Sequence, residues 1–209
     1  MDSISYPYLS IGCLFRRSPQ IPLFYRLINV IFKFQGERVI EVPFALGFIN
    51  QRHHNRLLEI GNVLNYYGQI TKHDVIDKYE TIGDCTNVDV LEYVPKEKYD
   101  IVVSISTMEH VGFDETPVDK EKTEKAMLRL FDFIKPDGRI LVTVPIGYNP
   151  YIDEFIKSHY ELFTHIYFLH KDRSRWGWIQ GKINENLNNK SSLTAFLIYE
   201  PHDYSKSQK

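Results

Sequence analysis

The stretch from Lys98 to Pro145 constrains this chain more than any other. It opens with Tyr99-Asp100-Ile101-Val102-Val103-Ser104-Ile105, a nearly continuous apolar run of strand length. Such a run belongs to a strand buried on both faces, as in a parallel sheet. Residues 119–135 then place Met127, Leu130, Phe131 and Ile134 on one helical face. Lys135-Pro136-Asp137-Gly138 follows with turn chemistry that stops the helix. A second buried run over 139–144 is closed by Pro145. Strand, helix and strand in this order predict two parallel neighbours joined by a crossover.

The flanks extend the pattern. Residues 56–60 read as strand one, 64–70 as a short helix or turn, 73–77 as strand two and 88–90 as a weak strand three. A helix is expected over 42–51, with Pro43 in its first turn, where proline is tolerated. His53, His54 and Asn55 form a polar connection. Later, 151–163 looks helical, and 165–170 and 193–199 look like strands, with a further strand over 175–180. Residues 184–192 form an asparagine-rich loop and 204–209 a polar tail. The fold expected is α/β: a Rossmann-like, doubly wound, mostly parallel sheet with helices on both faces and an antiparallel C-terminal strand. It occupies 37–203, behind a helical extension over 1–36.

In that extension, Leu23, Phe24, Leu27, Ile28, Ile31 and Phe32 recur at helical spacing within 21–34. Arg26, Asn29 and Lys33 interrupt the segment, which is too short and polar to span a bilayer. Two readings stand: it caps the core or an oligomer interface, or it lies on an anionic membrane surface. The N-terminus lacks a secretory n-region, and Cys13 and Cys85 suggest neither a disulfide framework nor a metal site. A cytoplasmic protein is expected. A net charge of −2 gives no field for general nucleic-acid binding. The histidines form no metal site by spacing.

The chemistry concentrates at strand ends. Leu57-Leu58-Glu59-Ile60-Gly61-Asn62 is a buried run ending in an acid and then glycine. Eighteen residues after Glu59, Asp77 closes the next apolar run. An acid so placed suits the two hydroxyls of a ribose, although turn formation alone also puts Gly and Asp at strand ends. Asp89 precedes strand four, whose end reads Ser104-Ile105-Ser106-Thr107-Met108-Glu109-His110.

The order and spacing of these segments resemble the class I S-adenosylmethionine-dependent methyltransferases over about residues 56–146. Tyr99-Asp100 with its apolar run, Glu109-His110 and Lys135-Pro136-Asp137-Gly138 carry the resemblance. It implies S-adenosyl-L-methionine as cofactor. It places Glu59, Gly61 and Asn62 near the methionine end and Asp77 on the ribose. Asp89 and Val90 would meet the adenine, and Ser104 and Ser106 would line the methionine moiety. His110 would face the substrate. One departure stands out: the usual Gly-x-Gly-x-Gly becomes Gly61-Asn62-Val63-Leu64-Asn65, so a Cβ at Val63 approaches the amino-acid end. This stretch, with His73 to Glu80, is similar to a subfamily associated with surface-glycan gene clusters.

The expected acceptor is a small molecule or glycan-related hydroxyl. Its proton needs a positioned base: His110 first, then Glu109 and Asp114. A histidine bonded to backbone at the strand exit is the structural alternative for His110. Ile146-Gly147-Tyr148-Asn149-Pro150-Tyr151 forms either a substrate lip or only a turn. Trp176 and Trp178, near Arg173 and Arg175, suit a sugar face, an anionic ligand or a core. Two other functions compete. A nicotinamide-dependent enzyme would want a glycine-rich pyrophosphate turn, absent here. A degenerate, non-catalytic binding module of the same fold is favoured by the missing glycines.

Overall fold

A computed structural model describes residues 36–67, 72–81, 83–172, 177–181 and 193–201. The extension before Gly36, the asparagine-rich loop, the polar tail and Trp176 lie outside the described residues. The elements are α1 (Arg38–Ile49), β1 (Leu57–Ile60), β2 (Asp74–Asp77), β3 (Cys85–Asn87), β4 (Tyr99–Ile105), α2 (Lys120–Phe133), β5 (Ile134–Pro145), α3 (Pro150–Ser158), β6 (His165–Asp172), β7 (Gly177–Gly181) and β8 (Leu193–Tyr199). Single 3-10 turns cover Leu64–Tyr67 and Tyr160–Leu162.

The strands form one eight-stranded sheet in the order β3-β2-β1-β4-β5-β8-β6-β7. β3, β2, β1, β4 and β5 are mutually parallel. β8 runs antiparallel to both β5 and β6, and β7 antiparallel to β6. The antiparallel part is thus wider than a single C-terminal strand.

Period-two alternation divides each central strand between two cores. Leu58, Ile60, Val102, Ile140, Val142 and Val144 meet Ala126, Met127 and Leu130 of α2 and Ile152 and Phe155 of α3. Leu57, Ile101, Val103, Ile105 and Leu141 meet Val42, Ala45, Leu46 and Ile49 of α1. Helices therefore cover both faces. Each fully buried aliphatic side chain contributes about 1.5–3 kcal/mol.

Several boundaries differ from expectation. α1 begins at Arg38, which puts Pro43 inside the helix rather than in its first turn. The missing N–H leaves the Val39 carbonyl without its helical donor. Burial of Val42, Ala45, Phe48 and Ile49 compensates. Strand three is Cys85–Asn87, and residues 88–90 follow it as a loop. Lys135-Pro136-Asp137-Gly138 does not separate α2 from β5 as a free turn. β5 starts at Ile134, and the pairing with β4 shifts register between Tyr99 and Ile101. Lys135 Nζ reaches Asp100 Oδ1 at 2.7 Å and fixes the irregularity. The helix over 150–158 ends at His159, short of 163.

α2 is capped by Asp119, whose side chain accepts from the Lys122 N–H. α3 is capped by buried Asn149, which accepts from the Tyr151 N–H and donates from Nδ2 to the Glu109 carbonyl. That second bond ties the turn after β5 to the turn after β4.

Candidate active site

The C-terminal ends of β1, β2, β3 and β4 open onto one cavity of about 620 Å³, within the ~300–1,000 Å³ range of small-molecule sites. In open parallel sheets, ligands bind in the crevice at this edge, beyond the carboxyl ends of the strands. Gly61, Asn62, Val63, Asp77, Asp89, Val90, Ser106, His110 and Asp114 all line it. Glu59, Ser104 and Glu109 do not line it.

Glu59 lies beneath the cavity, fully buried. Its Oε1 accepts from the Val63 and Leu64 N–H groups at 2.9 and 2.7 Å, and its Oε2 pairs with His73 Nε2 at 2.7 Å. It therefore shapes the 61–64 turn from below. Ser104 is also buried, donating to the Ile60 carbonyl across β1 and β4. Gly61 has φ +87°, and a Cβ there would lie 2.1 Å from Thr107 Oγ1. Only bare backbone lets this turn pass the end of β4. Val63, in place of the second family glycine, packs partly into the α1-side core while forming one wall. Its fellow Leu64 is wholly buried there.

Asp77 Oδ1 accepts from the Tyr79 and Glu80 N–H groups at 2.8 and 2.9 Å. Its Oδ2 has no hydrogen bond among the described residues. Asp89 differs. Its Oδ1 accepts from the Leu91 N–H at 3.0 Å, and its Oδ2 meets Lys122 Nζ at 2.5 Å and Lys78 Nζ at 3.2 Å. Both lysines also pair with Glu115. Burial pushes the Asp89 carboxyl up, but Lys122, the Leu91 N–H and Lys78 outweigh it and hold it below the usual range. Glu115 is depressed in the same way. Sequence reasoning missed this four-charge ring, because its members lie on four separate segments.

His110 Nδ1 meets Asp114 Oδ2 at 2.5 Å. Tyr148 donates to the same oxygen at 2.7 Å and sets its ring edge-on to the imidazole at 5.1 Å. The 146–151 stretch is thus both a turn and a support for this pair. The hydrogen bond from His110 holds the Asp114 carboxyl down. A carboxylate on Nδ1 fixes the tautomer that leaves Nε2 as an acceptor. Glu109 is 2% exposed, and its Oε2 has no hydrogen-bond partner among the described residues. Burial pushes its carboxyl up to about 8, so at neutral pH it is a neutral acid.

Two further residues were missed at the sequence level. Arg38, at the start of α1, lines the cavity. It donates to the Ile105 and Ser106 carbonyls and to Glu41. Glu41 is fully buried beneath it. Neither belongs to a motif, since α1 reaches the tip of β4 only in the folded chain. No group of three His, Cys, Asp or Glu side chains among the described residues could hold a metal ion. No helix among them is long and apolar enough to cross a membrane.

No protein-family model and no curated protein sequence matches the chain. Solved structures do. The N-methyltransferase NodS from Bradyrhizobium japonicum WM9, in complex with S-adenosyl-L-homocysteine, aligns with a TM-score of 0.54 and 13% identity, covering 91% of this chain and 98% of its own. A Thermotoga maritima S-adenosylmethionine-dependent methyltransferase, described as a possible histamine N-methyltransferase, aligns with a TM-score of 0.51 and 10% identity, covering 90% of this chain and all of its own. Identities this low speak for architecture, and on that ground the chain has the class I S-adenosylmethionine-dependent methyltransferase fold.

Proposed function

We propose that this chain is an S-adenosylmethionine-dependent methyltransferase acting on a small-molecule or glycan-related acceptor through a hydroxyl. One observation carries the reading. A single cavity joins the Gly61 turn and the free Asp77 oxygen, on the β1–β2 side, to the His110–Asp114 pair beyond β4. The residues present fit the cofactor. Asp77 Oδ2 is open to ribose hydroxyls, and Ile76, Val88 and Val90 give an apolar wall for the base. Bare backbone at Gly61, with Asn62, Ser106 and Arg38, surrounds the amino-acid end.

The cofactor, when bound, supplies the activated methyl group, so little covalent chemistry falls to the protein. This chain's residues align the acceptor and shut out water. His110 Nε2 takes the acceptor's proton as the new bond forms, and Asp114 stabilises the resulting imidazolium from Nδ1. Glu109 is buried and does not line the cavity, whereas His110 does, so the base role falls to His110.

Calorimetric titration with S-adenosylmethionine, S-adenosylhomocysteine and NADH tests the reading. Micromolar binding of the first two is expected, with no binding of NADH. Asp77→Ala should weaken both by at least about tenfold, the worth of a charge-assisted hydrogen bond. One observation favours a non-catalytic module of this fold: Asp89 is already satisfied by Lys122, Lys78 and Leu91. Absence of binding would sink the first reading and leave that one. Where the cofactor does bind, mass increases of one methyl group among candidate glycans and hydroxylated metabolites would identify the acceptor.

A further inference from the structure

The cluster below Arg38 joins three elements at the end of the groove where β4 stops. Glu41 comes from α1, Ser106 from the tip of β4 and Thr143 from β5. Glu41 Oε1 accepts from Ser106 Oγ at 2.5 Å and from Thr143 Oγ1 at 2.8 Å, and Oε2 accepts from Arg38 Nη1 at 3.1 Å. Arg38 Nη1 also donates to the Ile105 carbonyl at 2.8 Å, and Nη2 to the Ser106 carbonyl at 3.2 Å. Its guanidinium is thus spread flat across the end of β4, with 34% of the side chain still exposed.

Ser106 is the only non-glycine residue of positive φ among the described residues, at +38°. That conformation is strained and persists only where neighbours over-determine it. Here the neighbours are identifiable. The Ser106 N–H bonds the Thr143 carbonyl at 2.9 Å, and the hydroxyl bonds Glu41.

Holding a fold together does not require a carboxylate in this place. Burial pushes the Glu41 carboxyl up despite Arg38, Ser106 and Thr143. A buried ion pair is a poor source of net stability. What a carboxylate does well is orient a guanidinium and accept two hydroxyls at once. The uncommitted N–H groups of Arg38 then remain as donors in the cavity, beside Ser106 and Thr107.

We propose that Glu41 is a positioning residue that fixes Arg38 at the amino-acid end of the groove, making the groove selective for ligands whose tail carries a carboxylate. The proposal rests on the methyl-transfer reading above, because it takes that end of the cavity to receive the cofactor's amino-acid moiety. Sequence gives no hint of it. Glu41 is a fully buried acid in a helix of apolar residues, and, apart from Arg38 one turn before it, its partners lie 65 and 102 positions away.

Two ligands separate tail recognition from everything else. S-adenosylhomocysteine and 5′-methylthioadenosine share the adenosine and the thioether, but only the first carries the amino-acid tail. Calorimetry on the full chain should show that the wild type prefers the tailed ligand. Glu41→Gln should cut that preference by about tenfold, as for the loss of a charge-assisted contact, with 5′-methylthioadenosine binding unchanged. In an Arg38→Met background Glu41→Gln should add nothing, since Glu41 acts through Arg38. An unchanged preference in Glu41→Gln overturns the proposal, and so does equal weakening of both ligands, which is what a merely structural role produces. Should Glu41→Gln fail to fold by circular dichroism, Arg38→Lys decides. It keeps the charge but loses the fork, so loss of preference supports the proposal and an unchanged preference overturns it. A wild type that binds neither ligand overturns this proposal together with the methyl-transfer reading. A wild type that binds both, with a preference insensitive to these substitutions, overturns this proposal alone.

Discussion

Gly61 is the position where one atom decides most. Its φ of +87° is strained for any side chain, and the added Cβ would collide with Thr107 Oγ1 and Cγ2. Gly61→Ala should therefore lower the midpoint of thermal unfolding by several degrees, about 2–4 °C per kcal/mol for a chain of this size. It should also weaken S-adenosylhomocysteine binding. Adding Thr107→Ala, which removes Oγ1 and Cγ2 but leaves the Thr107 Cβ at 2.9 Å, should recover part of the loss. A Gly61→Ala protein as stable as the wild type would show that the turn is free to move. The glycine was legible because strand followed by glycine is a local pattern. The work of Glu59 was not. The sequence put it at the methionine end, yet its carboxylate is spent on Val63, Leu64 and His73. Whether an acid at a strand end faces the groove or the layer beneath depends on strand twist and on the neighbouring loop, which local sequence does not encode.

Between elements, ion pairs fasten the cavity walls. Lys122 of α2 and Lys78 after β2 meet Asp89 and Glu115 from two loops. Lys122 and Asp89 are only 12% and 11% exposed, so the ring lies between a surface pair and a buried one. Lys122→Met should cost about 2 kcal/mol, above the ~0–1 kcal/mol of exposed pairs, because two carboxylates lose the more buried of their two shared cations. Urea unfolding reads this directly; a change within error would mean that solvent already screens the ring. α2 itself was legible from its apolar stripe and its Asp119 cap. α1 was placed too late in the chain because Pro43 suggested a helix start. Burial of its apolar face against β4 and β5 overrides the local rule.

Across the molecule, buried and paired carboxyls oppose each other as pH changes. Asp74, Asp89, Asp100 and Glu115 all lie below their ordinary values; burial alone would raise each of them, but their partners dominate. Depressed folded values mean that their stabilisation is present above about pH 4 and is lost as pH falls through the folded values, to about 2 for Asp100. Glu109 has the opposite sign. Burial raises it from 4.5 to about 8, so the unfolded chain releases this proton first and stability declines as pH rises between those values. Stability should peak in the weakly acidic range. Glu109→Gln should unfold at a higher temperature relative to wild type at pH 8 than at pH 5, by at least about 2–4 °C. Equal gaps at the two pH values would show that Glu109 is ionised throughout.

By itself, the sequence determined the layer order and the parallel core. Runs such as 99–105 and 139–144 can bury two faces only between helices, and that information is local and periodic. It also marked Gly61, Asp77, Asp89, His110 and Asp114, which the fold gathers on one cavity. Only the tertiary structure decided which carboxylates face that cavity, and it alone brought Arg38, Glu41, Ser106 and Thr143 into one knot. Contacts between residues so far apart in the chain are set by how α1 seats on the ends of β4 and β5, through burial that is non-directional and leaves no mark in the spacing of the residues.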